Sequence, residues 1–229
     1  MVPGRLLEGR DVPDILKKYA AEFIGTFVLV FAGTGAIVIN QVSGGTVTHV
    51  GIALTFGLAV LAMIYTLGDI SGAHLNPAVT FGFWFAGRFA RGSVLPYVLS
   101  QCTGAVVASG VLRLLFPQNR LLGTTQPAGP VIQSFVLEFL LTAILMLAIL
   151  RVSTDAKEKG ITAGIVVGAV IAFEAMFAGP ICGASMNPAR SFGPALISGH
   201  IASLWLYLLA PMLGALVGVI ACRCISQDN

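Results

Sequence analysis

The sequence predicts an all-α membrane protein in which six transmembrane helices and two re-entrant half-helices form an inverted repeat. Three observations predict this fold: the scarcity of charge, six long apolar runs and a tripeptide that occurs twice. Of the 229 residues, 56% are hydrophobic and 10% are charged, whereas a soluble domain carries about 25% charged residues. Because such a surface suits lipid, we expect one membrane domain over residues 1–229 and no separate soluble domain.

Six apolar runs approach the length of about 20 residues that a helix needs to cross a bilayer. They lie at roughly residues 18–40, 48–68, 93–115, 131–151, 161–179 and 201–222. Two shorter apolar stretches lie at about 76–87 and 187–198, and each would reach only about halfway across the hydrocarbon core. The long runs are therefore the predicted spans, and the short stretches are the predicted half-helices.

The distribution of positive charge predicts that both termini are cytoplasmic. Cytoplasmic loops are rich in Lys and Arg, and here these residues precede the first run, follow the second and fourth runs, and recur at the C-terminal end. The opposite loops hold little beyond Arg120. Two termini on one side require an even number of spans. The basic residues are Arg5, Arg10, Lys17, Lys18, Arg88, Arg91, Arg151, Lys157, Lys159 and Arg223.

The composition argues against several classes of function. The net charge of +3 comes from few residues and does not suggest nucleic acid binding. None of the four cysteines has a zinc-ligand partner at suitable spacing, and no nucleophile–base set or metal cluster is evident. We therefore expect no enzyme, no cofactor and no metal. A secondary transporter, which can also contain inverted repeats and broken helices, remains an alternative from another class.

The second half of the sequence repeats the first. The segment AEFIGT at 21–26 resembles LEFLLT at 137–142, and Asn-Pro-Ala occurs at 76–78 and again at 187–189. Each repeat contains three spans and one half-span. Because three is odd, the second repeat must enter the membrane from the opposite side, so the half-spans meet near the midplane. The two repeats cover about residues 17–116 and 130–224.

Each Asn-Pro-Ala triplet is expected to begin a helix. The triplets are Asn76-Pro77-Ala78 and Asn187-Pro188-Ala189. Asn is a favoured N-cap, and Pro suits the first helical position, where its missing N–H is not needed. The capping side chain accepts hydrogen bonds through its carbonyl oxygen, so we expect its NH2 group to remain free as a donor.

Two helices that begin head to head would place Asn76 and Asn187 side by side in the middle of the membrane. Both amides would donate to the oxygen of a passing water, and each helix start carries about half a positive charge. This arrangement favours neutral molecules in single file and opposes cations and proton relay. The alternative is a pair of turns that only pack the bundle, which is disfavoured because irregular backbone inside a membrane is tolerated mainly where it lines a cavity.

The motif segments resemble a known family. SGAHLNPAVT at 71–80 and GASMNPARS at 183–191 resemble the signatures of the aquaporin, or major intrinsic protein, family, and the resemblance covers nearly the whole chain. TD at 154–155, AG at 163–164 and AGP at 178–180 are most similar to the plant nodulin-26-like intrinsic proteins, which have bacterial homologues.

The resemblance implies the aquaporin fold and a passive channel for water and small uncharged solutes that excludes protons and ions. It also implies a homotetramer with one pore in each subunit. The short termini favour one of the bacterial homologues, and therefore a multi-pass protein of the bacterial inner membrane.

The resemblance further implies a selectivity filter on the extracellular side of the two asparagines. By their spacing from the triplets, its four positions are Phe56, Ala175, Ala184 and Arg190. Water-selective relatives usually hold His at the position of Ala175, so an alanine there widens the filter. A wide filter is expected to admit glycerol, urea and metalloid hydroxides such as arsenous or boric acid. Ser191 resembles the water-channel pattern, as does Ala195, so a strictly water-selective channel is the alternative.

Three acidic residues lie within apolar spans, where a charge is costly unless it is paired. Glu22 and Glu138 occupy matching positions, and the resemblance and the symmetry favour acceptors for backbone N–H groups of the re-entrant loops. Glu174 could face a polar vestibule or accept hydrogen bonds behind the filter, and we prefer the second interpretation. His74 is expected to be a hydrogen-bonded structural residue rather than a pH gate.

Overall fold

Six membrane-spanning helices and two short ones make up the fold. The computed structural model describes residues 12–153 and 157–226, and six helices within them are long and apolar enough to cross a membrane. The helices of the described residues are α1 (Asp14–Val42), α2 (Thr48–Ser71), α3 (Pro77–Phe85), α4 (Arg91–Leu115), α5 (Val131–Val152), α6 (Lys157–Cys182), α7 (Pro188–Ser198) and α8 (Leu204–Ile225). The predicted fold is confirmed. Arg5, Arg10 and the pair at 154–155, which were used above, lie outside the described residues.

The short helices α3 and α7 are the predicted half-helices. They contain 9 and 11 residues, which corresponds to about 14 and 17 Å at a rise of 1.5 Å per residue. This is about half of a hydrocarbon core of roughly 30 Å. Each begins at the proline of a triplet, so the loops at 72–76 and 183–187 carry the chain into the interior of the bundle.

The two halves of the chain pack in the same way. Helix α1 packs against α2 and α4, and α5 packs correspondingly against α6 and α8. Each half-helix also reaches the opposite half, since α3 packs against α8 and α7 packs against α4. Helices α2 and α6 pack against each other and join the two halves.

Glycines allow the helices of the two halves to approach closely. A Cβ atom on Gly57 of α2 would overlap the carbonyl oxygen of Gly168, and a Cβ atom on Gly168 of α6 would lie 2.7 Å from the carbonyl oxygen of Gly57. Gly104 of α4 and Gly214 of α8 lie against backbone carbonyls of α1 and α5 in the same manner. Small residues are common where membrane helices meet, and here they bring backbone into contact with backbone.

The outer surface is apolar. Leu58, Leu99, Leu114 and Ile132 are between 57% and 81% exposed. Large exposed apolar surfaces mark contact with lipid or with other proteins. The polar side chains of interest are buried inside the bundle instead.

Candidate functional site

Asn76 and Asn187 cap the two half-helices. Both have an extended backbone and are followed by proline at the first helical position. The Oδ1 atom of Asn76 accepts from the N–H of Ala78 at 2.9 Å. The Oδ1 atom of Asn187 accepts from the N–H groups of Ala189 at 3.0 Å and Arg190 at 3.3 Å. The predicted N-caps are confirmed, and each helix start carries a partial positive charge.

The amide groups of the same two residues are joined crosswise. The Nδ2 atom of Asn76 donates to the carbonyl oxygen of Met186, and that of Asn187 donates to the carbonyl oxygen of Leu75, both at 2.8 Å. The expectation that the NH2 groups remain wholly free is therefore wrong. One N–H of each amide ties the opposite loop in place, and one N–H of each is left as a donor.

The loops before the half-helices have a strained backbone. Four non-glycine residues lie in the left-handed region, with φ between 41° and 52°: Ala73, Leu75, Ala184 and Met186. Each residue of this kind costs on the order of 1–3 kcal/mol and persists only where its surroundings hold it. Leu75 and Met186 are also the residues whose carbonyl oxygens accept from the opposite asparagine.

Two fully buried carboxylates hold these loops. Glu22 of α1 accepts from the backbone N–H groups of residues 74–75 at 2.9 and 2.7 Å. Glu138 of α5 accepts from the backbone N–H groups of residues 185–186, both at 2.8 Å. Hydrogen bonds to a charged group contribute about 1.5–3 kcal/mol each, which offsets the strain of the left-handed residues.

Arg190, at the third position of α7, lies against the ring of Phe56. Its side chain is 2% exposed, and its Nη1 atom donates to the carbonyl oxygen of Gly123 at 2.8 Å. The guanidinium carbon lies 4.9 Å from the centroid of the Phe56 ring, a distance at which a cation is attracted to an aromatic face. The Nε atom of Arg190 is buried and has no hydrogen-bond partner among the described residues.

Two cavities meet beside Phe56, Ala184 and Arg190, which line both of them. The outer cavity has a volume of about 580 Å³ and also includes Ala175, so it contains all four predicted filter residues. The inner cavity has a volume of about 110 Å³ and is lined by both capping asparagines. One path therefore runs past the four filter positions to the two amides.

The chain is similar to known proteins over most of its length. A family model described as "Major intrinsic protein" matches residues 10–222. The chain belongs to the major intrinsic protein family. It is 47% identical to aquaporin NIP1-1 of Zea mays over 220 residues, which are 96% of this chain and 78% of that protein. It is 45% identical to nodulin-26 of Glycine max over 204 residues, which are 89% of this chain and 75% of that protein.

A solved structure supports the same assignment. The X-ray structure of the aquaglyceroporin from Plasmodium falciparum matches with a TM-score of 0.84 and 27% identity, over 92% of this chain and 96% of that chain. This major intrinsic protein is thus a multi-pass membrane channel for water and small solutes and not an enzyme. The alternative interpretation as a secondary transporter is therefore wrong. The predicted similarity to the nodulin-26 branch is confirmed. The expected bacterial inner membrane has no support, because both sequence relatives are plant proteins.

Gly33 of α1 makes room for the Phe56 ring of this major intrinsic protein, and sequence reasoning missed it. A Cβ atom on Gly33 would overlap three atoms of that ring. The ring therefore lies directly on the backbone of α1, and Phe56 is 9% exposed. Without this glycine the ring would have to move, so Gly33 helps to set the position of one wall of the path.

The position of Glu174 in α6 rules out one of the two interpretations offered for it. The side chain is fully buried and lines neither cavity, so it does not face a vestibule. Neither carboxyl oxygen has a hydrogen-bond partner among the described residues, and the preferred interpretation, an acceptor behind the filter, stays a prediction. Successive residues of a helix point about 100° apart, so a neighbour of Ala175 is directed elsewhere.

The Glu22 carboxylate also accepts hydrogen bonds from two side chains. The Nε2 atom of Gln101 in α4 donates to Glu22 at 2.8 Å, and the hydroxyl of Ser71 donates to the same carboxylate at 2.7 Å. At the matching positions of the second half stand Pro211 and Cys182. A repeated Tyr-x6-Gly spacing, at 97–104 and 207–214, aligns Gln101 with Pro211, and the spacing of the two triplets aligns Ser71 with Cys182, so these two patterns are signals that could have identified both residues.

His74 has the contacts of a structural residue. Its Nδ1 atom lies 3.1 Å from the hydroxyl of Thr80. Its ring stacks on Phe83 at a centroid distance of 4.6 Å and contacts the rings of Phe89 and Tyr97. These contacts fix the imidazole beside the first half-helix.

Proposed function

We propose that this channel conducts glycerol and neutral metalloid hydroxides such as arsenous and boric acid in addition to water, and that it excludes protons and ions. The observation that carries the proposal is the composition of the filter. Two methyl side chains, Ala175 and Ala184, line the same cavity as the Phe56 ring and the Arg190 guanidinium. Small side chains at two of four positions leave room for a solute larger than water.

The filter residues match the chemistry of such solutes. The ring and the methyl groups suit a carbon skeleton, while the Arg190 guanidinium, which lines the same cavity, supplies donors for a hydroxyl oxygen. Ligand sites of this type combine apolar walls with a few placed polar groups that fix orientation. Urea and the hydroxides of arsenic and boron are compact, neutral and rich in hydrogen-bonding groups, so they meet the same requirements.

Exclusion of charge is supported by the asparagine pair. Asn76 and Asn187 each retain one N–H after their crosswise bonds, and both would donate to the oxygen of a molecule between them. A water whose oxygen accepts from both amides cannot also accept hydrogen bonds from its neighbours along the file, which interrupts proton relay. The two helix starts and the Arg190 guanidinium add positive potential, which opposes cations.

A strictly water-selective channel is the second candidate. It was favoured by Ser191 and Ala195, but both are buried and neither lines the outer or the inner cavity. The hydroxyl of Ser191 lies 2.6 Å from that of Ser185 and accepts from Thr125 at 2.7 Å. These residues therefore act on the packing of the loop rather than on the width of the path, which supports the wider solute range.

The test is a stopped-flow panel on proteoliposomes with water, glycerol, urea and arsenous acid. We expect each solute to cross faster than through bare lipid, while proton flux stays at the level of bare lipid. Water flux without flux of the three larger solutes would support the second candidate instead.

We also propose a homotetramer in a cell membrane, with both termini in the cytoplasm and one channel domain of two inverted repeats in each subunit. Basic residues at one end of the bundle support this orientation, because such residues favour the cytoplasmic side. At that end Arg88 donates to the carbonyl of Leu150 near the end of α5, and Arg223 donates to the carbonyl of Phe85 at the end of α3. Exposed Cys224 offers a test. An impermeant thiol reagent should label it from the cytoplasmic side alone, and native mass spectrometry should give four subunits.

A further inference from the structure

The repeat relates the filter to four positions on the other side of the asparagine pair. Asn76 and Asn187 correspond, and so do Gly57 and Gly168, which touch where α2 and α6 cross. Both pairs are 111 positions apart. The same spacing takes Phe56, Ala175, Ala184 and Arg190 to Val167, Ile64, Ala73 and Val79, respectively.

These four positions, which we call the inner ring, all line the inner cavity of about 110 Å³. Ile64 lies eight residues beyond Phe56 on α2, and Val167 lies eight residues before Ala175 on α6. At a rise of 1.5 Å per residue each step is about 12 Å. Since α2 and α6 run in opposite directions, both steps lead away from the filter toward the same end of the bundle.

The inner ring differs in chemistry from the filter. Val79 replaces the guanidinium of Arg190, so the ring has no donor side chain, and Ile64 replaces the small Ala175. On α1 and α5 the matching residues Glu22 and Glu138 are 138 − 22 = 116 positions apart, and the same spacing takes Gly33 to Ile149. The Ile149 side chain also lines the inner cavity, whereas Gly33 has no side chain and the Phe56 ring occupies the space beside it. At matching positions this end of the path therefore has no charged side chain, and Ile64 and Ile149 are larger than Ala175 and Gly33, whereas Val167 is smaller than Phe56.

We propose that the inner ring of Ile64, Ala73, Val79 and Val167 is a second selectivity element, which limits the passage of solutes that carry several hydroxyl groups. The proposal rests on the proposed solute range. A polyol that leaves the filter gives up the donors of Arg190 and gains no side-chain partner from the ring, and an unmade hydrogen bond is costly in an apolar site. Water is smaller and can retain hydrogen bonds along the file, so the ring hinders it less.

The test compares Ile64→Ala and Val167→Ala with Leu58→Ala, a matched control on α2 whose side chain is 59% exposed on the outer surface. Permeability to glycerol and water is measured by stopped flow in proteoliposomes. The two ring variants should raise glycerol permeability at least about threefold while water permeability changes less than about twofold. The control should leave the ratio of glycerol to water permeability unchanged.

A narrowing variant tests the same proposal with the opposite sign. Ile64→Phe should lower glycerol permeability about threefold or more with a smaller loss for water. If a ring variant fails to assemble, the other two carry the test. If the ratio of glycerol to water permeability is unchanged in the ring variants that assemble, the proposal that the inner ring is a selectivity element is wrong.

The failure of the proposed solute range gives a different result. If the unaltered channel passes water but no glycerol, that range is wrong, and the ring is then judged by whether Ile64→Ala or Val167→Ala opens a glycerol path. Glycerol flux in either variant supports the ring, and none in both overturns it. If the unaltered channel passes glycerol but the ring variants leave the glycerol-to-water ratio unchanged, the inner-ring proposal is wrong and the proposed solute range stands.

Discussion

Asn76 and Asn187 each hold the loop that precedes the other, through hydrogen bonds of 2.8 Å to Met186 and Leu75. The residues that cap the half-helices therefore also fasten the two halves of the chain together. A change at either amide should affect both the stability of the protein and the barrier to charge.

Asn187→Asp should weaken the fold and the exclusion of cations together. The carboxylate keeps the capping oxygen but loses the donor to Leu75 and places negative charge on the path. We expect a loss of about 2 kcal/mol in the free energy of unfolding, since a buried acceptor loses its partner, and a measurable cation leak. Thermal unfolding in detergent and proteoliposome conductance measure the two effects. Asn40→Asp is the control, because the Asn40 side chain bonds within the described part of the chain through its Oδ1 atom alone, which accepts from the Thr48 N–H.

Ala175→His should narrow the outer filter. The imidazole would enter the cavity that Ala175 lines, so glycerol and arsenous acid permeability should fall about tenfold while water permeability falls less than about threefold. Ala175→Ser, which adds a single oxygen, is the control and should change all three little. An equal loss for the three solutes in Ala175→His would remove Ala175 from the filter.

Gly33→Ala should act on the path through Phe56. The added Cβ atom overlaps the ring, so the ring must shift, and glycerol permeability should fall about threefold or more because overpacking displaces side chains. Gly35→Ala on the same helix is the control, since its Cβ atom would lie 3.4 Å from Leu112 in ordinary contact. The double variant Gly33→Ala/Phe56→Leu should recover flux, and no recovery would contradict the proposed contact.

The same substitution at two buried acids should have different effects. Glu138→Gln leaves one of two loop N–H groups without its acceptor and should lower the free energy of unfolding by about 1–3 kcal/mol. Glu174→Gln removes no hydrogen bond among the described residues and should change it by less than about 0.5 kcal/mol or raise it. Thermal unfolding of the two purified variants gives the comparison directly. Similar losses for both would show that Glu174 is bonded.

The fold and the two caps could be predicted because they depend on local patterns. Span length, the Asn-Pro pairs and the spacing of Glu22 and Glu138 are each visible within a short segment. The contact between Gly33 and Phe56 could not be predicted, since it depends on the rotation of α1 against α2, which no local pattern reports. The crosswise bonds of the asparagines were missed for the same reason, because they join atoms of two different loops.

Glu174 shows a further limit of reading neighbours along a chain. Its position next to Ala175 suggested a place at the filter, but one step along a helix turns a side chain by about 100°. The burial of a carboxyl group without a partner among the described residues depends on the packing of α6 against α5, and composition carries no sign of it.

The contact between Gly57 and Gly168 has a consequence for how this channel can be regulated. Where these two glycines meet, main chain lies on main chain, so α2 and α6 cannot change their separation there by repacking side chains. A change in the width of the path at this crossing would require the movement of a whole helix, whereas an exchange of side chains along the lumen changes what permeates without moving either helix.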